Sequence, residues 1–259
     1  MRLILTQPQL KAFDNAFNRD AVYRALDEAH DGFMKDDIIL LPEHIFFTND
    51  AEEYLHEIRN IAAQTGSTVV GGSFHEINDS FRRNTGAVIA ADGSILCNYD
   101  KLRPYADERN RVEPGERLGQ CVIGGRRVLV LICADFWFSD LYGKVKELPE
   151  LVLVPALSIT RKPSPDYSRE MWRHLAVSRA YEFGVYVGIS DWGEDSLLPV
   201  HRCSGVGGFA NAASDDVQAF FTAVGQDRLQ AITLDFDQLD AFRSDREARG
   251  FFRKGNSGQ

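Results

Sequence analysis

The feature that most constrains this chain is a set of short runs that are apolar at nearly every position. The runs RVLVLIC at 127–133 and LVLVP at 151–155 are the clearest examples. A strand that alternates apolar and polar residues covers one face of a core, whereas a run that is apolar throughout needs cover on both faces. These runs therefore predict an α/β protein in which the sheets are buried on both sides.

The rest of the chain alternates strand-like runs with helical periodicities. Strands are predicted at 3–6, 38–41, 68–73, 85–90, 95–99, 128–133, 151–155, 185–190, 205–209, 217–222 and 230–234. Apolar residues recur at helical spacing within 11–30, 54–62 and 171–183. The ADGS sequence at 91–94 is typical of a hairpin turn. A βαβ opening followed by a hairpin favours two layered sheets with helices outside, in a single domain over residues 1–259 with a polar tail from about 253.

Charge and cysteine content exclude several classes of protein. With 38 acidic and 29 basic residues, the net charge is −9, which is opposite to the basic excess of a general nucleic-acid binder. No stretch has the apolar length of a signal peptide or a membrane span, so no membrane partner is expected. The four cysteines form no paired motif and the six histidines show no zinc-ligand spacing, so neither a disulfide framework nor a metal site is predicted. These features favour a cytoplasmic protein that handles a small molecule.

Three polar residues follow three of the predicted strands. Glu43 comes directly after Leu-Leu-Pro, Lys101 follows the strand at 95–99, and Cys133 ends RVLVLIC. Strand ends are where α/β proteins place ligands and, at sharp corners, nucleophiles. Taken singly, each residue has an ordinary interpretation: a solvated loop acid, a surface lysine and a buried structural cysteine. Together they form a coherent acyl-transfer site, in which the acid takes the thiol proton, the thiolate attacks and the ammonium stabilises the oxyanion.

The sequences around these residues resemble the nitrilase (carbon–nitrogen hydrolase) superfamily. The resemblance lies in LLPE at 40–43, YDKLRPYADERNRVEPG at 99–115 and LICADFWFSDL at 131–141, in that order. It extends to Gly71-Gly72, to Asn84 and to EMWRHLAVSRAYEFGVYVGIS at 170–190, and it covers roughly residues 1–245. The family resemblance implies a four-layer αββα sandwich. It also implies a homodimer or a higher homo-oligomer, for which the helical faces at 139–147 and 168–183 are the candidate contacts.

The family uses a Glu–Lys–Cys triad, and the resemblance implies a role for each matching residue. Glu43 matches the general base, Lys101 the oxyanion lysine and Cys133 the nucleophile. The backbone N–H of Ala134 is expected to complete the oxyanion hole, because this residue directly follows the nucleophile. The nearby lysine is expected to lower the pKa of the thiol. No metal and no organic cofactor is implied.

A second glutamate stands beside the triad in many family members. Glu108 matches it here, and the neighbouring Asp107 and Glu113 are rival candidates.

The residues around the nucleophile resemble the amidase branch of the family. Cys-Ala-Asp at 133–135 matches the Cys-x-Asp pattern of amidase-like members rather than the Cys-Trp-Glu of true nitrilases. Asp135 has an equally good interpretation as a turn cap. Trp137-Phe138 stands where Arg-Phe commonly follows, so that Trp137 replaces the arginine, and Arg103 stands where many members have histidine after the lysine. We therefore name Arg103, Trp137 and Phe138 as candidate substrate-binding residues.

The sequence favours hydrolysis of a small-molecule amide but leaves related functions open. Hydrolysis of an N-carbamoyl compound and acyl transfer to an amine are alternatives within the family, and an inactive binding scaffold is a non-enzymatic one. The sequence also places several basic residues where they could form a rim near the lysine: Arg103, Arg109, Arg111 and the Arg-Lys pair at 161–162. Such a rim favours a substrate with a carboxylate, unless these arginines pair with the acidic residues near them.

Overall fold

The computed structural model describes residues 1–29, 32–77 and 82–251. His30 and the predicted tail from about 253 lie outside these ranges. The strands, in chain order, are β1 (Arg2–Thr6), β2 (Ile38–Leu40), β3 (Thr68–Val70), β4 (Phe74–Ile77), β5 (Arg82–Ile89), β6 (Ile95–Asp100), β7 (Gly119–Ile123), β8 (Arg126–Val130), β9 (Leu151–Pro155), β10 (Ile159–Thr160), β11 (Tyr186–Ser190), β12 (Arg202–Cys203), β13 (Gly208–Ala210), β14 (Phe221–Ala223) and β15 (Leu229–Thr233). The α-helices are α1 (Asn15–Asp27), α2 (Ala51–Thr65), α3 (Asp166–Phe183) and α4 (Phe236–Ala248).

Local sequence explains where the first two helices begin and end. The Asp14 carboxylate accepts the N–H of Phe17 at the start of α1, and Asp50 caps α2 in the same way. Helix α2 ends at Gly66, whose φ of 63° is a left-handed conformation that glycine adopts without a steric penalty. The predicted helix at 11–30 is therefore shorter than expected, because the cap at Asp14 fixes its start.

Two sheets form the centre of the fold. In the first, β1, β2 and β3 are parallel, β15 pairs antiparallel with β1, and β5 pairs antiparallel with β3, β4 and β6. In the second, β8, β9 and β11 are parallel, with β7 added antiparallel at one edge and β13 and β14 at the other. Strands β10 and β12 form a separate two-stranded pair.

The cores show that the layers are stacked in the order αββα. Leu3 and Leu5 of β1 pack with Val130 and Leu153 of the second sheet, so one core lies between the sheets. Ile4, which points the other way because strand side chains alternate, packs against α1 and α2. A third core joins α3 to the outer face of the second sheet. The four-layer α/β sandwich expected from the sequence is confirmed.

The carboxyl ends of parallel strands from both sheets meet at one edge. The Ser190 hydroxyl at the end of β11 accepts the N–H of Thr6 at 2.9 Å and donates to the carbonyl of Leu40 at 2.8 Å. The ends of β1, β2 and β11 are therefore joined directly. This junction brings together loops that are far apart in the sequence.

Several strand predictions were wrong at their ends. Residues 217–220 form a 3-10 turn rather than strand, because the Asp216 carboxylate accepts the N–H of Gln218 and caps the turn. The strand predicted at 205–209 begins only at Gly208, since Gly205 has a φ of 62°. The strands β4 and β7 and the short pair β10–β12 were not predicted. Among the described residues, no helix has the length and apolar content needed to cross a membrane.

Candidate active site

Glu43 is held at the end of β2 by both its main chain and its surroundings. Its N–H donates to the carbonyl of Ala156 at 3.2 Å, and its carbonyl accepts the indole N–H of Trp192 at 2.7 Å. Gly72 packs against the preceding turn so closely that an added Cβ would lie 2.0 Å from the carbonyl oxygen of Pro42. The side chain of Glu43 is therefore buried in a fixed position at the shared edge of the two sheets.

Lys101 places its ammonium group between two carboxylates. Its Nζ lies 2.7 Å from Oε1 of Glu43 and 2.6 Å from Oε2 of Glu108. Its main chain is anchored by an N–H bond to the carbonyl of Asn84 and by accepting the N–H of Gly115. The residue is only 4% exposed, so the charge is largely removed from water and depends on these two partners.

Cys133 occupies a sharp corner after β8. Its φ of 45° lies in the left-handed region, which residues with a Cβ rarely adopt, and residues 133–137 form a 3-10 turn. Its Sγ lies 3.8 Å from the carbonyl oxygen of Leu157. The N–H of Leu157 donates to Oε2 of Glu43 at 3.2 Å. Leu157 therefore links the thiol to the carboxylate. Ala134, whose N–H is the expected oxyanion donor, is buried beside the thiol.

Glu108 is the acid that the fold brings to the lysine. It lies on the 3-10 turn at Ala106–Asn110 and is largely buried, whereas its rivals Asp107 and Glu113 are exposed. Its Oε1 accepts a hydrogen bond from Asn84, and its Oε2 pairs with Lys101. Of the three acids that the sequence left open, Glu108 is the one that contacts Lys101.

Burial and charge set the protonation of these groups. Burial alone would lower the pKa of Lys101, but the charges of Glu43 and Glu108 outweigh it and raise that pKa. Burial alone would raise the pKa of Glu108, but its hydrogen bond with His75 and the charge of Lys101 lower it. At neutral pH both groups of this pair are therefore charged.

The expectation that the pKa of the thiol is lowered was wrong, because the effect of the lysine is outweighed. Burial raises the pKa of Cys133 well above its ordinary value, and the Glu43 carboxylate adds to this effect. Lys101 acts in the opposite direction but is already neutralised by its carboxylate partners. The resting thiol is therefore protonated, and it needs a base at the moment of attack.

Asn84 joins the two carboxylates through a single amide group. Its Nδ2 donates to Oε1 of Glu43 at 2.9 Å and to Oε1 of Glu108 at 2.7 Å. The residue is fully buried within β5. Sequence reasoning noted Asn84 only as part of the resemblance, and the signal that could have singled it out was an amide inside an otherwise buried strand.

Asp135 connects the loop that carries Cys133 to the loop that carries Lys101. Its carboxylate accepts the N–H of Leu102 at 2.9 Å and that of Arg103 at 2.8 Å. The residue is completely buried, and burial raises its pKa to about 7 despite the two N–H donors. It thus caps main-chain donors, but in a distant loop rather than in its own turn.

Two histidines stand beside Glu108. His75 Nε2 lies 3.3 Å from Oε1 of Glu108, and His44 Nε2 lies 3.9 Å from the same oxygen. Burial lowers the pKa of His44 to about 4. His44, His75 and Glu108 offer ligand atoms within 4.8 Å of one another, a grouping that the spacing of histidines along the chain did not reveal.

The three candidate substrate-binding residues lie together at the surface. The guanidinium of Arg103 pairs with Asp140 and stacks on the ring of Phe138 at 4.1 Å. Trp137 packs edge-on against Trp172, and both aromatic residues of the 137–138 pair are about two-fifths exposed. Arg103 is therefore engaged by an acid, although by Asp140 rather than by one of the acids nearest to it in the sequence.

Similarity to known proteins agrees with the geometry of the site. Residues 5–207 match the carbon-nitrogen hydrolase family. A Mycobacterium tuberculosis protein described as a hydrolase is 29% identical over 201 residues, which cover 72% of this chain and 69% of that protein.

Solved structures show the same fold. Saccharomyces cerevisiae Nit3, a member of branch 10 of the nitrilase superfamily, aligns with a TM-score of 0.78 at 18% identity and covers 95% of this chain and 93% of its own. An amidase from Nesterenkonia sp. aligns with a TM-score of 0.73 at 21% identity and covers 96% of each chain.

Proposed function

Because this chain belongs to the carbon–nitrogen hydrolase family, we propose that it is an amidase-type hydrolase. Its substrate is the non-peptide amide of a small molecule, and its intermediate is a thioester on Cys133. The observation that carries this proposal is the position of Lys101 between Glu43 and Glu108, at the edge where the corner of Cys133 also opens. The amidase among the solved structures gives additional support for the type of bond.

The first half of the reaction forms the thioester. The sulfur of Cys133 attacks the amide carbonyl while its proton passes to the Glu43 carboxylate, which suits a thiol that is protonated at rest. The oxyanion is stabilised by Lys101 and by the N–H of Ala134. Glu43 then gives the proton to the amide nitrogen, the C–N bond breaks, and ammonia or an amine leaves.

The second half of the reaction restores the enzyme. Glu43 removes a proton from water as the water oxygen attacks the thioester carbonyl, and the same two donors stabilise the second oxyanion. The C–S bond breaks, the acid product leaves, and the thiol is protonated again. Glu108 keeps Lys101 charged and in place throughout, since its Oε2 is 2.6 Å from Nζ. None of these steps requires an organic cofactor.

The surface residues Arg103, Trp137 and Phe138 are the proposed rim of the substrate pocket. Arg103 lies two positions after Lys101, and Trp137 and Phe138 lie four and five positions after Cys133. Asp135 ties the two segments together. A carboxylate on the substrate would compete with Asp140 for the guanidinium. The comparison of an ω-amide bearing a free carboxylate with its methyl ester, in wild type and in Arg103→Ala, measures this contribution.

A homodimer is the proposed assembly. Helix α3 presents Tyr167, Met171 and Tyr181 to the surface with 40–55% of each side chain exposed. Such apolar area on one helix is typical of an interface between subunits. Light scattering of Tyr181→Glu against wild type tests this contact.

The decisive experiment is an ammonia-release screen over carboxamides, N-carbamoyl compounds and nitriles. We expect release from a carboxamide, its loss in Cys133→Ala, and a decrease of at least ~100-fold in Glu43→Gln, which keeps the volume but not the base. Cys97→Ala is the matched control, since it removes another free, partly exposed thiol. Full activity in Cys133→Ala contradicts the proposal.

The same screen separates the alternatives. Release of carbon dioxide with ammonia indicates N-carbamoyl hydrolysis, and formation of a new amide when an amine is added indicates acyl transfer. An electrophile that fails to label Cys133 in the native protein indicates a binding scaffold. Mass spectrometry of the labelled protein identifies the modified cysteine.

A further inference from the structure

The polar cluster beside Lys101 gathers several possible metal-ligand atoms around one amide group. The Nδ2 group of Asn84 has two hydrogens, yet it faces Oε1 of Glu43, Oε1 of Glu108 and, at 3.3 Å, Nε2 of His44. Nε2 of His75 lies 3.3 Å from the same Glu108 oxygen. Ring nitrogens of both histidines and an oxygen of each carboxylate therefore converge around one amide group, whose two hydrogens cannot bond to all three of the acceptors that it faces.

The backbone holds these ligand atoms from independent elements. His44 has a φ of 53°, and its N–H donates to the hydroxyl of Ser73, which fixes its ring beside Glu43. His75 lies in β4, and Glu108 lies on the turn at Ala106–Asn110. The two imidazole rings contact each other edge to face with centroids 4.3 Å apart. The cluster is therefore assembled by the tertiary structure.

We propose that His44, His75 and Glu108 bind a divalent transition-metal ion of the zinc class. In a tetrahedral zinc site with bonds of 2.0–2.1 Å, neighbouring ligand atoms are about 3.3 Å apart. The distance from His75 to Glu108 is 3.3 Å, and the distance from His44 to Glu108 is 3.9 Å. Two imidazole nitrogens and one carboxylate oxygen are ligands that zinc favours, and side-chain shifts of about 1 Å would bring them into place.

Negative charge on one side of the cluster favours a cation, and positive charge on the other side disfavours it. Glu43 and Glu108 carry two negative charges against the one positive charge of Lys101, and Oε1 of Glu43 lies 3.8 Å from His44 Nε2. On the far side, the Arg82 guanidinium lies 3.5 Å from Nδ1 of His75. A metal on Nε2 leaves Nδ1 as a donor, so Arg82 weakens the site.

Metal binding at this position is expected to inhibit the enzyme. The ion would take Oε1 of Glu108 and lie next to Glu43, while Lys101 keeps Oε2 of Glu108. The carboxylates that hold Lys101 and accept the proton of Cys133 would then also neutralise the charge of a divalent cation. Activity should fall on addition of zinc and return on addition of a chelator.

Calorimetric titration of Cys133→Ala with zinc chloride separates this site from the thiol. The variant lacks the Cys133 thiol, which as a thiolate would itself bind zinc. Because zinc binding is measured without turnover, a negative result for the metal site is distinct from a negative result for the proposed function. We expect binding in Cys133→Ala and a decrease in affinity of about tenfold or more when His75→Gln is added. His174→Gln, which changes an exposed histidine of α3, is the matched control and should leave affinity unchanged.

Two further variants keep the test decisive. If His75→Gln does not fold, as judged by circular dichroism, His44→Asn removes the other imidazole with a residue that tolerates positive φ. Arg82→Gln replaces a donor near His75 Nδ1 with an acceptor and should tighten zinc binding. The proposal is overturned if Cys133→Ala abolishes binding, if loss of His75 or His44 leaves affinity unchanged, or if zinc does not bind at millimolar concentration.

Discussion

An Asp135→Ala substitution tests how the loops that carry Lys101 and Cys133 are held together. The Asp135 carboxylate is completely buried and accepts the main-chain N–H groups of Leu102 and Arg103 at 2.9 and 2.8 Å. Alanine leaves both donors, which are partly buried, without this acceptor. An unsatisfied buried donor costs about 1–3 kcal/mol, so two partly buried ones should lower the free energy of unfolding by about 2 kcal/mol.

The same substitution should reduce activity more than a general loss of stability would. Leu102 directly follows Lys101, so release of its N–H lets the ammonium move away from the oxyanion position. A displacement of about 1 Å in a catalytic group can cost ~100-fold in rate. Asp135→Asn keeps one acceptor oxygen, and both effects should be intermediate.

Urea denaturation followed by circular dichroism measures the stability, and kcat/KM on a carboxamide measures the activity of the folded fraction. Asp92→Ala is the matched control, because this aspartate also accepts a main-chain N–H, that of Ser94, but is exposed. Water replaces the lost acceptor there, so its stability should change by less than about 0.5 kcal/mol. A loss of that small size in Asp135→Ala would refute the reasoning.

Three other changes test the framework around the site. Asn84→Leu should lower kcat/KM by about 10–100-fold, measured on a carboxamide, because it removes the amide that joins two carboxylates. Gly72→Ala should destabilise the fold strongly in urea, because its Cβ meets Pro42 at 2.0 Å, whereas Gly93→Ala, also at positive φ but with open space, should cost only about 1–2 kcal/mol. Burial raises the pKa of Asp191 from 3.8 to about 7, so its contribution to stability is complete below the unfolded pKa and is lost as pH rises through about 7. Asp191→Asn should therefore flatten the decrease in unfolding free energy between these pH values, and an unchanged slope in a pH series of urea titrations would contradict this assignment.

The sequence was sufficient for the layers and for the positions of the main strands. The run at 151–155 is strand over its whole predicted length, because a short segment that is apolar throughout has to be buried on both faces. Prediction was poorer where a single side chain decides the local structure. Asp216 turns a β-rich segment into a 3-10 turn, and a left-handed Gly205 delays the start of β13.

The sequence alone also pointed to Glu43, Lys101 and Cys133, because each follows a strand within a distinctive local pattern. It named Glu108 as the second glutamate but left Asp107 and Glu113 open as rivals, and it assigned the wrong direction to the pKa of the thiol. The choice of acid and the pKa of the thiol both depend on distances and burial that no local pattern contains. Glu108 reaches Lys101 only after the loops fold over the sheet edge, and the lysine is neutralised by partners 58 and 7 positions away in the chain. Side-chain type and strand position are written in the sequence, whereas electrostatics depend on three-dimensional separation and on the exclusion of water, which only the tertiary structure decides.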